Sequence, residues 1–337
     1  MEGVQSYFYT DNEVRSMEAL LAYHEKRSDG REKDEVRIPI FEFSINSAIV
    51  HLGSTLVSCS TTAEIIRPNE DRPSEGLHLL SLQSPNRIHK SFQTEALVQI
   101  RDCLHRTRAL DLESLVIKIG EQVWCLKSDI VILNNDGGLF EAVNLAVIGS
   151  LLHTKLPGPR GPRPIVLHHL PIAVTFGYLN LNRMPGVDRN QPYIQPLCFV
   201  DPTYLETLAL DGLLTIFSNA QGEICAIHKN DGIPLSSFVF PSQTDSHINM
   251  AIEISLAVAK KWHSALMHQM GKNAPPSLAK LGEEPVKSQT EESSQIEAQT
   301  SKTDIKEIEN EVLQEFREVA EEEENEEISP DLLDLFS

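Results

Sequence analysis

The sequence predicts an α+β fold made of two similar strand-strand-helix halves, with an acidic tail behind them. Three observations carry that expectation. Strand-like stretches followed by a long helix occur twice along the 337 residues. The helical stretch 140–153 is apolar on almost every side, as a helix held between two layers must be. The charge is also unevenly divided: residues 272–337 hold six Lys/Arg and nineteen Asp/Glu, a net of −13, against −7 for residues 1–271. The expected organisation is an N-terminal helix and turn (1–30), a first half (31–164), a second half with an irregular insertion at 180–196 (165–271), and a disordered acidic tail (272–337).

Composition excludes several classes. Apolar residues at 41% and charged residues at 23% exclude a wholly disordered or fibrous chain. No stretch approaches the ~18 consecutive apolar residues of a membrane span. Residues 1–10 lack the basic and apolar regions of a secretory leader, so an intracellular protein is expected. Cys59, Cys103, Cys125, Cys198 and Cys225 are scattered without a C-x-x-C pair, which predicts buried thiols in a reducing compartment and neither disulfides nor a zinc site.

Taken in order, residues 11–26 are expected as a helix capped by Asp11, with Val14, Met17, Leu20, Leu21 and Tyr23 forming much of its apolar face. Arg27-Ser28-Asp29-Gly30-Arg31 ends it in a turn. Strands follow at 36–44, 48–51 and 54–60, with Gly53 in the hairpin between the last two, and then at 76–83. A helix over 92–108 has Leu97, Ile100 and Leu104 as its stripe. Strands at 115–120 and 122–133 lead to Asn134-Asn135-Asp136-Gly137-Gly138, a strong turn signal. After helix 140–153 and a Pro-rich connection come strands at 165–176, 213–218 and 223–228 and a closing helix over about 242–268. In the tail, Ile305, Ile308, Val312, Phe316 and Val319 have helical spacing, and an acidic run precedes the apolar end Leu332–Phe336, either a docking motif or a solvating tail.

Several of these motifs resemble the RNase PH family in its exosome branch. The match runs through Glu113-Ser114-Leu115, Gly120-Glu121-Gln122-Val123-Trp124 and Leu133 to Gly137. It continues through His168-His169-Leu170-Pro171-Ile172, Val200-Asp201-Pro202, Asp211-Gly212-Leu213-Leu214 and Gly222-Glu223-Ile224-Cys225, with the Arg27–Arg31 turn also fitting. The resemblance implies two α+β halves of the RNase PH type (ribosomal S5 domain 2-like). It implies a six-membered ring with related subunits, S1/KH cap subunits, a channel threading single-stranded RNA toward an associated hydrolytic nuclease, and a nuclear, nucleolar and cytoplasmic location. The roles it implies are rRNA maturation, mRNA turnover and RNA surveillance.

Phosphorolysis needs an anion pocket and a carboxylate pair. Active family members are expected to carry two aspartates six apart. Here Asp211 fits the second position, but Leu205 stands at the first and Glu206 is one residue out of step. No small-residue-plus-Arg cluster stands where the phosphate pocket would be, and Gly137-Gly138 has no basic neighbour in sequence. His168-His169, on a strand-like stretch, would point to opposite faces and make no two-His site. No catalytic residue, metal or cofactor is therefore expected, and the chain reads as a non-catalytic scaffold and channel wall. The rival is a phosphorolytic 3′→5′ exoribonuclease, or half of a composite site. RNA contact is expected from Lys90, Arg101, Arg106 and Arg108, in a basic segment with Arg87, His89 and His105. Arg101, His105 and Arg108 are spaced i, i+4, i+7 on one helix flank, and salt bridges or a solvated face are the alternative. Phe92 and Trp124 are expected in the core.

Overall fold

The computed structural model describes residues 9–24, 27–84, 90–158, 161–181, 196–229 and 247–273. The chain divides into two units, Met1–Ala279 and Lys280–Ser337, and all described residues belong to the first. The calls on the tail, on Arg87 and His89, and on most of the 180–196 insertion lie outside the described residues.

Helix α1 (Asp11–His24) is capped not by Asp11 but by Thr10, whose backbone N–H donates to Glu13 Oε2 at 2.6 Å while Glu13 N–H donates to Thr10 Oγ1 at 3.4 Å. That is the reciprocal capping box. Its buried Met17 and Leu21 pack with Leu179, Phe199 and Ala209 in a small second cluster.

The first half is one mixed sheet. Strands β1 (Ile40–Ser44), β2 (Ser47–Leu52) and β3 (Thr55–Ile66) form a meander. Then β6 (Gln122–Asn134) pairs antiparallel with β3 and parallel with β4 (Leu77–Gln83), and the short β5 (Val116–Lys118) pairs with β6. Gly53, at φ 60°, makes the two-residue turn into β3. Helix α2 (Lys90–Arg106) packs on β4 and on β12 of the second half, starting and ending two residues earlier than the expected 92–108. Helix α3 (Leu139–His153) touches β2 and β3 of the first sheet and β9 of the second, and Leu139–Leu151 are all buried, as the all-round apolar pattern requires.

The second sheet has the order β10 (Leu197–Val200), β9 (Ile172–Leu179), β11 (Gly212–Ser218), β12 (Ile224–Lys229), antiparallel throughout. The strand expected at 165–176 begins only at Ile172. Pro171 cannot donate to a ladder, and the stretch before it bonds instead to residues 109–111, through His168 N–H to Ala109 O at 2.9 Å and Asp111 N–H to Val166 O at 3.2 Å. Helix α4 (Tyr204–Ala209) and strand β10 were not anticipated, although Thr203-x-x-Glu206 forms a capping box. Between Lys155–Leu156 (β7) and Arg163–Pro164 (β8) the Pro-rich connection closes a small hairpin. Helix α5 (His247–Asn273) lies against β9, β11 and β1, and Gln269 covers the open edge of β1 by accepting from Phe41 N–H at 2.6 Å.

The two halves are joined side chain to backbone. Glu141 Oε1 accepts from Thr175 N–H at 2.6 Å and Asn144 Oδ1 from Ala173 N–H at 3.1 Å. Two residues one turn apart on α3 thus satisfy two alternate amides of β9, at positions that β10, paired only from Phe176 onward, does not reach.

Candidate nucleic-acid interface and the position of a phosphorolytic centre

The residues that would form a catalytic pair are committed elsewhere. Leu205 and Glu206 sit on α4, where successive side chains point to different sides of the helix. Leu205 is half-buried and packs on the α1 cluster. Glu206 is fully buried and gives both carboxylate oxygens to Arg27, at 2.9 Å from Nε and 2.7 Å from Nη2. Arg27 also donates to Val200 O at 2.9 Å and Asp201 O at 2.8 Å, so this buried pair is fork-to-fork with its remaining donors used. Asp211 lies just past α4, where its Oδ2 accepts from Asn180 N–H at 2.7 Å. Its role is to hold the end of β9.

The Gly137-Gly138 turn follows the same logic. Both glycines have positive φ, 80° and 62°. A Cβ on Gly137 would fall 2.5 Å from backbone atoms of Pro202, Thr203 and Tyr204. The turn is glycine because the second half presses on it. The residues after it, Leu139 and Phe140, are buried and their apolar side chains offer no donor to an anion.

Basic side chains do reach this turn from far away in sequence, which sequence reasoning missed. Arg37 donates to Asp201 through Nε (2.9 Å) and Nη2 (2.6 Å) and to Leu52 O and Asp136 O through Nη1 (3.3 and 3.1 Å). Arg31 donates to Asp29, Glu35 O, and Asp201 through both its side chain and carbonyl. Burial opposes the Arg37 charge, but the Asp201 carboxylate outweighs it and holds the guanidinium charged. Asp201 adopts φ 48° and is fixed there by Asp201 N–H to Thr175 O at 2.9 Å and by three arginines. Four of the five Arg37 N–H donors already have protein acceptors, so the cluster is a closed ion-pair network and not an open anion pocket. A cleft of about 530 Å³ runs past it, lined by Arg31, Arg37, Asp29, Asp136, Ser54 and Leu205 among others, with carboxylates and guanidiniums side by side. The only signals for this network were the Arg27–Arg31 turn and Val200-Asp201-Pro202, visible as motifs but not as partners.

Glu141 stands beside this network. Burial, and after it the Asp201 charge, pushes its carboxyl up to about 7, and its Oε2 has no hydrogen-bond partner among the described residues.

On α2 the expected basic flank is only partly assembled. Lys90 opens the helix, and Arg101 and Arg106 are exposed, the latter 82%, and share Asp102 at 3.3 and 3.0 Å. Exposed pairs of this kind are weak and screened, so both guanidiniums remain open to a phosphate. The other two positions correct the expectation. The helix ends at Arg106, and Arg108 takes a left-handed φ of 55°, so it is off the i+7 position though exposed. His105 turns inward, its ring 5.7 Å from that of buried His78. Burial, then the neighbouring His105, pushes His78 down to about 3, and its Nε2 bonds Ser128 Oγ at 3.0 Å. Trp124 is buried as expected; the side chain of Phe92 lies outside the described residues.

His168 and His169 do not converge. The segment is a bend, with His168 exposed near Asp111 (3.8 Å) and His169 half-buried against Thr107 Oγ1 (3.1 Å). All five cysteines are free; Cys59, Cys103 and Cys125 are buried, and burial pushes the Cys59 thiol up to about 12. Among the described residues no three His, Cys, Asp or Glu side chains are grouped to hold a metal.

Two strand-and-helix halves with a shared ion-pair network define an RNase PH-type chain. Family profiles agree: domain 1 of the 3′ exoribonuclease family matches residues 35–157 and domain 2 matches residues 169–239, and the chain belongs to that family. Among curated relatives it is 33% identical over 247 residues to "Exosome complex component RRP45A" of Arabidopsis thaliana, covering 65% of this chain and 76% of that one. It is 32% identical over 234 residues to "Exosome complex component RRP45" of Danio rerio, covering 62% of this chain and 56% of the relative. The chain therefore spans little more than half the length of some relatives it matches. Among solved structures, a chain of the "Archaeal exosome core" superposes with a TM-score of 0.61 at 25% identity, covering 76% of this chain and 97% of that chain.

Proposed function

We propose that the protein is a non-catalytic subunit of an RNA exosome ring, resembling RRP45, and serves as scaffold and channel wall for 3′→5′ RNA processing and degradation. The observation that carries this is the pair Glu206–Arg27. The acid nearest the position a catalytic aspartate would need is buried in a structural ion pair, and the Arg37 guanidinium beside the Gly137-Gly138 turn is committed to Asp201. Its partners are other RNase PH-like subunits, S1/KH caps, single-stranded RNA and an associated hydrolytic nuclease. Its location is nuclear, nucleolar and cytoplasmic. Exposed Arg101, Arg106 and Arg108, with Lys90, supply phosphate contacts without base readout, as a channel passing any sequence requires.

The test is reconstitution. The purified chain, alone and with RNase PH-like partners, is mixed with labelled RNA, magnesium and inorganic phosphate. The chain alone should release no nucleoside diphosphate and should enter a stable complex with a partner. Phosphate-dependent product from the single chain, abolished by Asp211→Ala, would overturn the reading.

A further inference from the structure

We propose that a groove between residues 32–36 and α5 docks a basic peptide segment that presents an apolar side chain between lysines or arginines. The groove, about 520 Å³, is in the size range of real ligand pockets. Its floor is apolar: Val36 and Val258 are buried at its base, Ile254 is half-buried and Ala257 is exposed. Met250, 46% exposed, extends the same stripe, because 250, 254, 257 and 261 recur at i, i+4, i+7 and i+11 on one face of α5.

One rim carries the exposed Glu32, Asp34 and Glu35, against a single Lys261 on the other. None of the three carboxylates is in an ion pair among the described residues. The rim is also pre-organised. Glu35 O accepts from Arg27 Nη1 at 3.3 Å and from Arg31 Nη1 at 3.2 Å, so the segment bearing the acids is tied to the buried arginine network.

An apolar floor under a rim whose lining residues carry −2, or −1 with the exposed Lys33 of the same segment, favours a cationic, apolar-anchored occupant. The same charge argues against the acidic part of the chain's own tail, residues 291–337, which carry −14 and would be repelled. The site shares no residue with α2 and its arginines and does not depend on the RNA reading.

The test uses the full chain and a fluorescein-labelled Lys-Arg-Leu-Leu-Arg-Lys peptide read by polarisation, with Lys-Arg-Ser-Ser-Arg-Lys as the control that keeps charge and lacks the anchor. Ala257→Arg fills the groove from an exposed position without entering the core, and Glu32→Gln/Asp34→Asn/Glu35→Gln removes the rim charge. The leucine peptide should bind at least tenfold more tightly than the serine peptide. Ala257→Arg should weaken it tenfold or more, and the triple variant should weaken it and flatten its salt dependence. Equal binding of the two peptides, or binding unchanged by Ala257→Arg, would mean attraction to the acidic tail alone and overturn the proposal. A groove that becomes protected from hydrogen exchange when an RNase PH-like partner binds, with the peptide displaced, would overturn it too, since the surface would then be a ring contact.

Discussion

Glu141 offers the sharpest quantitative test of the junction between the halves. Its carboxyl is fully buried and shifted from the ordinary 4.5 to about 7. The folded state therefore holds a proton that the unfolded chain has already released between those two values. A raised carboxyl pKa lowers stability as pH rises: no penalty exists below about 4.5, it grows through the interval, and it is complete above about 7. At 1.36 kcal/mol per unit, the shift corresponds to roughly 3 kcal/mol, most of which accrues between pH 5 and 8. Glu141→Gln keeps an acceptor for Thr175 N–H but cannot titrate. Urea unfolding of the two proteins, repeated from pH 5 to 8.5, isolates this group because every other titration is common to both and cancels in the difference. The stability of wild type relative to Glu141→Gln should fall by about 2–3 kcal/mol from pH 5 to pH 8 and level off above. The absolute offset is less informative, since the amide brings its own buried donor. A difference that stays flat across the range would refute the claim that this carboxyl is held neutral by burial.

Other substitutions probe the same region. Gly137→Ala places a methyl group 2.5 Å from the backbone of residues 202–204 at a φ of 80°, and should cost more than the ~1 kcal/mol of an ordinary left-handed glycine, seen as a lowered urea midpoint. Arg27→Ala strands the Glu206 carboxylate in the interior and should cost about 3–5 kcal/mol by the same measurement. Arg101→Ala/Arg106→Ala/Arg108→Ala should weaken retention of single-stranded RNA by the assembled ring about equally for all sequences, and should flatten the salt dependence by ~0.7 per lost phosphate contact. An unchanged salt slope would assign these arginines to surface ion pairs alone. Leu205→Asp should not create phosphorolysis, because Leu205 packs on the α1 cluster and the Arg37 guanidinium beside the Gly137-Gly138 turn stays committed to Asp201; appearance of nucleoside diphosphate would contradict this.

What the sequence made legible was local. The all-round apolar pattern of 140–153 placed α3 between layers because each of its faces meets a different sheet, a condition that periodicity records directly. Gly53 and Gly137-Gly138 fell where positive φ is needed, and glycine is the residue that tolerates it. The errors were also local in origin. Strand 165–176 was drawn through Pro171, which cannot serve a ladder, and the i, i+4, i+7 flank ran two residues past the end of α2. Thr203-x-x-Glu206 carries the signal for α4, since Glu206 is the fourth residue of a capping box and not a stray acid. What no local pattern could show is partnership across distance. Arg27 and Glu206 are separated by 179 residues, and Arg37 and Asp201 by 164. In sequence each is an ordinary charged residue near a turn. Together they bind the N-terminal segment, the glycine turn before α3 and the end of β10 into one buried network. The absence of an anion pocket at this turn is therefore a property of the whole network: the guanidiniums that could have bound a phosphate are present in the fold, and the carboxylates of Asp201 and Glu206 already occupy them.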